Sequence, residues 1–161
     1  MEKPKKYLTP AEALLKLQRY CAYQDRCHRE VRTKLLELGV YGDALEEIIV
    51  ELIAEKFLDE ERYARSYARG KFRIKRWGRN RIKRELKSKG VTEYCIRKGM
   101  EEIDETEYIE VLTDILTKKA EALSTKESQA FLRNKKVAQY AMSRGFEGEL
   151  VWEVLREIGL K

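Results

Sequence analysis

The side chains best suited to do chemistry in this chain are guanidinium groups. Arg62, Arg65, Arg69, Arg73 and Arg76 recur every three or four positions, and at 100° per residue they fall within an arc of about 80° on one helix. Tyr63, Ala64, Tyr67 and Ile74 fall on roughly the opposite side. Such a helix keeps an apolar face for its own fold and an arginine ridge for something else. Arginine suits phosphate and carboxylate because its planar fork donates to two oxygens at once. The ridge continues past Trp77 and Gly78 into Arg79, Arg81, Lys83, Arg84, Lys87 and Lys89, and Lys75 lies between its two parts. Phe72 and Trp77 sit beside it. A basic patch with aromatic rings suits single-stranded nucleic acid, whose bases stack on such rings. Trp77 fits as well as a hydrophobic plug between helices.

The charge is concentrated. Residues 62–89 hold 13 Lys or Arg against one acid, Glu85, which is +12 in a chain whose net charge is +6. The remainder is therefore net acidic. Charge runs are commonly just a solvated face, but here almost no acid interleaves and the local repulsion is unrelieved, so a binding role is expected. A pI near 9.1 points to an acidic partner, either nucleic acid or an acidic protein surface.

Other chemistry is thin. His28 is the only histidine, and no CxxC or second histidine joins it and Cys27 to complete a metal site. We read it as a surface or capping residue. Cys21, Cys27 and Cys95 match no disulfide scaffold and read as reduced thiols of a cytosolic protein. Tyr20, Tyr23, Tyr63 and Tyr67 read as core residues with wet hydroxyls. No glycine-rich phosphate loop follows a strand, and no nucleophile is paired with a base. We expect no enzyme activity, cofactor or metal. No run approaches 18 apolar residues, so no membrane span is expected. The opening MEKPKKYLTP has no apolar core of a secretory signal. A cytoplasmic monomer is the expectation.

The elements that must position the ridge are helices. With 39% charged residues and only two prolines, the composition suits a helical protein with much exposed surface. Thr9–Glu12 is a capping box with Pro10 at the first helical position, and Asp43–Glu46, Asp104–Glu107 and Ser124–Glu127 are three more. Asp25 and Thr92 can cap further helices, another begins at Asp59 with an acidic start and a basic end that suit the helix dipole, and Gly39, Gly90 and Gly145 can stop helices. Nine helices and no strand are predicted. Aligning those three glycines exposes a repeat of about 51–55 residues. Eight residues upstream lie Val31, Ile82 and Val137; four upstream lie Leu35, Leu86 and Ala141. Downstream columns are Val40, Val91 and Phe146; Leu45, Ile96 and Val151; Ile49, Met100 and Leu155; and Leu52, Ile103 and Ile158. The fold class is all-α, with three tandem three-helix repeats in an elongated, curved array. The units are 9–56, a basic 57–103, and 104–161. Helix pairs broken by glycine also suit helix-turn-helix units, with the helix from Arg79 reading DNA.

The middle unit resembles the RecX family, bacterial regulators of the RecA recombinase. The resemblance rests on Leu58-Asp59-Glu60-Glu61-Arg62-Tyr63-Ala64 and on the run from Arg81-Ile82 to Lys89-Gly90. Tyr23–Arg26, Glu30–Leu35 and the Gly145-Phe146 turn extend it to most of residues 10–160. The link Lys75-Arg76-Trp77-Gly78 departs from the family's glycine-rich pattern. The resemblance implies tandem three-helix modules that bind in the groove of the RecA–DNA filament, with ATPase and strand exchange restrained. Arg65, Arg69, Arg73, Arg79, Arg81 and Arg84 would then carry the contact, with weak, salt-dependent DNA binding beside it. The rivals are a stand-alone DNA-binding protein or transcription regulator and a scaffold for another acidic protein.

Overall fold

The computed structural model describes residues 8–123 and 130–159. Among the described residues there are nine α-helices and no strand: α1 Pro10–Tyr23, α2 His28–Glu37, α3 Gly42–Ala54, α4 Glu60–Arg73, α5 Arg79–Ser88, α6 Glu93–Met100, α7 Glu105–Ala122, α8 Ala130–Ser143 and α9 Gly148–Glu157.

Several predicted caps form. The side chains of Thr9, Thr92 and Asp104 accept hydrogen bonds from the amides of Glu12, Cys95 and Glu107, which satisfies donors left over in each first turn. Asp59 stands just ahead of α4, and its side chain accepts likewise from the amide of Arg62. Two expectations are corrected. Asp25 does not cap α2. Cys27 stands at that position and its amide donates to Glu30, while Asp25 is drawn to Arg62. Asp43 does not open α3 either, because the helix begins a residue earlier at Gly42, and Glu46 pairs with Arg32. The fourth box, at Ser124–Glu127, lies outside the described residues.

Each consecutive trio of helices packs together, and among the described residues the principal helix–helix contacts all lie within a trio. Within the second trio α4 and α6 approach closely, because Ala64, Ala68 and Gly99 keep the interface thin. A β-carbon on Gly99 would stand 2.8 Å from the carbonyl oxygen of Ala64. The repeat columns form the interior, with only Met100 and Ile158 keeping partial exposure. Gly39, Gly90 and Gly145 each follow the middle helix of a trio with φ of 80°, 78° and 104°, left-handed backbone that disfavours a β-carbon.

The apolar interior divides unequally. Leu17, Val31, Leu35, Leu45 and Leu52 belong to a core of the first trio. A second core runs without interruption through the second and third, from Ala64 and Phe72 to Tyr108, Val137 and Val151. Cys27, at the start of α2, joins the second core, and Leu58, just before α4, joins the first.

Candidate partner-binding surface

The arginine ridge of α4 is not left to solvent. Arg62 reaches Asp25 at 2.8 Å and donates to the carbonyls of Lys56 and Phe57. Arg65 spans Glu101 and Glu102 at 3.3 and 3.1 Å, and Arg69 reaches Glu102 at 3.2 Å. Arg73 lies 3.7 Å from Glu107, and Arg76, with φ of 56°, lies 2.6 Å from Asp114. Arg79 forks between Glu105 and Glu147 and stacks over the ring of Tyr108 at 3.8 Å. The expectation that repulsion along this ridge goes unrelieved is therefore corrected. The compensating acids come from the turn between α1 and α2, the turn after α6, α7 and the turn before α9, where no local sequence pattern signals them.

These pairs leave their mark on the carboxyl groups. Partial burial works against the charge of Glu102, but Arg65 and Arg69 outweigh it and hold the carboxyl below its ordinary value. Arg76 and Lys118 do the same to Asp114. Burial pushes the Tyr108 hydroxyl up, reinforced by its hydrogen bond to Glu147.

A different set of cations forms no ion pair with any described residue. On α5 the core takes Ile82 and Leu86. Lys83, Arg84 and Lys87 occupy about 100° of the solvent side, all three exposed. They line a groove of about 390 Å³ with Arg97, Glu93 and Ile96 of α6. Arg81 covers the ring of Trp77 at 4.1 Å, and Lys71 lies 4.9 Å from the same ring. Trp77 is half-buried and packs on the second core, so both features of its environment, core and cations, resemble a plug more than an open stacking platform. Lys75 is exposed. The sequence pattern alone did not single out Lys71; its signal was the spacing of four from Tyr67, which places the ammonium over that ring at 5.4 Å.

The other sequence candidates fall out differently. Tyr63 is buried and Tyr20 and Tyr67 are half-buried, but Tyr23 is 84% exposed, and Ile74 is 80% exposed because α4 has ended before it. His28 starts α2, with its amide facing Glu60. The three cysteines are free. No helix of the described residues is long and apolar enough to cross a membrane.

Fold and surface together define an all-α protein of tandem three-helix repeats whose middle repeat presents a basic face. Two family models match it: residues 59–100 as the second three-helix domain of RecX and residues 105–155 as the third. The chain belongs to the RecX family. It is 31% identical over 133 residues to the regulatory protein RecX of Clostridium tetani, covering 83% of this chain and 61% of that one. To the regulatory protein RecX of Lactobacillus johnsonii it is 34% identical over 110 residues, covering 68% and 41%. It thus spans about three-fifths, or less, of the length of these relatives. The crystal structure of RecX from Lactobacillus salivarius superposes with a TM-score of 0.84 at 24% identity, covering 94% of this chain and 97% of that one. A second RecX crystal structure gives 0.80 at 24% identity, covering 92% and 73%. These two likenesses establish the fold.

Proposed function

We propose that this chain is a cytoplasmic regulator that binds the RecA–DNA filament and restrains RecA's ATPase and strand exchange, and with them recombination and the SOS response. Its modules are residues 9–56, 57–103 and 104–161. Family membership supports the regulatory role. The single observation that carries the choice of surface is the contrast within the basic block. Arg62, Arg65, Arg69, Arg73, Arg76 and Arg79 are already engaged by acids of the same chain, whereas Arg81, Lys83, Arg84, Lys87 and Lys75 keep uncommitted charge. The second group makes the first contact with acidic protein surface or phosphate. The first group fixes the geometry of that face and joins the contact by exchanging carboxylates. The more exposed of these pairs, Arg73 with Glu107 and Arg76 with Asp114, are worth about 0–1 kcal/mol each, so exchange there costs little.

The test is RecA ATPase on single-stranded DNA, with the protein added before or after filament assembly. The triple change Lys83→Glu, Arg84→Glu, Lys87→Glu should abolish inhibition in both orders. Inhibition that survives the triple change at physiological salt would show that another surface carries the contact.

The second reading, a stand-alone DNA-binding protein, draws on the same uncommitted cations. Sequence-dependent DNA binding without RecA at about 200 mM salt would favour it, since purely electrostatic binding weakens steeply with salt.

A further inference from the structure

Between the first and second trios lies an open cleft of about 440 Å³, within the range of small-molecule sites. Lys71, Lys75 and Lys89 line it, and none of the three forms an ion pair with a described residue. Two of them converge on one ring: Lys71 lies 5.4 Å and Lys89 5.9 Å from the centre of Tyr67.

The acids that could neutralise these lysines are spoken for. On the opposite wall, Asp25 is held by Arg62 at 2.8 Å. Glu30 accepts from the amide of Cys27 and lies 3.7 Å from Arg26. Glu85 is near enough to raise the Tyr67 hydroxyl's pKa, after burial, but it pairs with none of the three ammonium groups. Two neutral donors, the amide of Gln24 and the hydroxyl of Ser66, also line the cleft and make no side-chain hydrogen bond to a described residue. Three ammonium groups, two of them over rings and none paired with a carboxylate of the described residues, with an amide and a hydroxyl that make no side-chain hydrogen bond there, are a donor set without its acceptor. A lysine ammonium is a compact point charge that suits phosphate, and a ring beside it suits a base.

We propose that this cleft is a binding site for a phosphoryl group, carried by a free nucleotide or by a nucleic-acid strand. Lys71 and Lys89 are not among the cations assigned to RecA contact; Lys75 is common to both sites. Lys89 lies about 120–160° around α5 from Lys83, Arg84 and Lys87. Because the site joins Gln24 of the first trio to lysines of the second, an occupant would also fix the angle between the trios.

The experiment uses the full chain without RecA, so its outcome is independent of the RecA reading. Calorimetric titrations with pyrophosphate, thymidine triphosphate and a dodecamer of thymidylate are run on the parent protein and on three double variants. Lys71→Ala with Lys89→Ala should weaken pyrophosphate binding at least tenfold. Lys71→Arg with Lys89→Arg should retain it, and Lys83→Ala with Lys87→Ala should leave it unchanged. If the dodecamer also weakens and its salt dependence becomes shallower, by about one for each phosphate no longer gripped, the ligand is a strand. If only pyrophosphate and the triphosphate weaken, it is a free nucleotide. The proposal is overturned if the parent protein does not bind pyrophosphate, or if removing Lys71 and Lys89 weakens it no more than removing Lys83 and Lys87.

Discussion

At the junction of the second and third trios backbone meets backbone, whereas at the junction of the first and second side chains meet around open space. In the former, the amide of Gly78 donates to the carbonyl of Arg144 at 2.8 Å and that of Asn80 to Gly145 at 2.9 Å. Tyr108, fully buried, stacks between Phe72 and Phe146 with centroids 5.8 and 5.0 Å away, and its hydroxyl receives the amide of Arg79 and donates to Glu147. In the latter, the links are Arg62 to Asp25, the amide of His28 to Glu60, Arg29 to the carbonyl of Ser88, and the exchange of Cys27 for Leu58 between cores. Repeats built on one pattern can thus be joined through backbone or through side chains. What decides is whether two backbones come close enough to exclude side chains.

The largest way to break this contrast is Gly78→Ala. A β-carbon there would stand 2.2 Å from the carbonyl carbon of Gly145, which is backbone and cannot rotate away. The two trios must part and lose both hydrogen bonds, a destabilisation of about 3 kcal/mol or more, read as a lower midpoint in chemical denaturation. A midpoint close to the parent's would mean that this close approach is not structural.

Tyr108→Phe comes next. It keeps the ring stack but strands the amide of Arg79 and a carboxylate oxygen of Glu147, at a cost of about 1–3 kcal/mol. A loss well under this range would mean water replaces the hydroxyl.

Arg62→Ala tests the other junction. The side chain is 42% exposed in its pair with Asp25, so the stability lost should be about 1 kcal/mol or less. Its sharper readout is Cys27, which is 1% exposed and packed across the junction. Its thiol should label faster in the variant, while Cys21, in the first core with its pKa pushed up to about 11 mainly by burial, should not. Equal acceleration at both would point to unfolding of the whole first trio instead.

The smallest effect is that of acid. Glu102 and Asp114 are held below their ordinary values of 4.5 and 3.8. Their folded forms bind fewer protons than the unfolded chain, so their contribution is complete above about pH 4.5 and lost as pH falls through and below that range. The denaturation midpoint should stay level from pH 7 to 5 and decline modestly below. A rise on acidification would contradict the sign.

Much of the fold was legible because its determinants are local. Caps such as Thr92 and Asp104, and apolar columns aligned on Gly39, Gly90 and Gly145, announce themselves within a few residues. The departures came from tertiary competition: Asp25 and Glu46 could have served as capping groups, but each pairs with an arginine distant in sequence, Arg62 and Arg32. The candidate surface was less legible because charge compensation is a tertiary matter. Nothing near Arg65 in sequence points to Glu102, nor near Arg79 to Glu147. The aromatic at residue 77 was open between two roles until its neighbours were placed.

The touching peptides of residues 78 and 145 have a mechanical consequence. A pull on either the second or the third unit is passed to the other along main-chain groups, whereas the first unit hands its load over through side chains and through residues 55–59, whose Leu58 is seated in the first core.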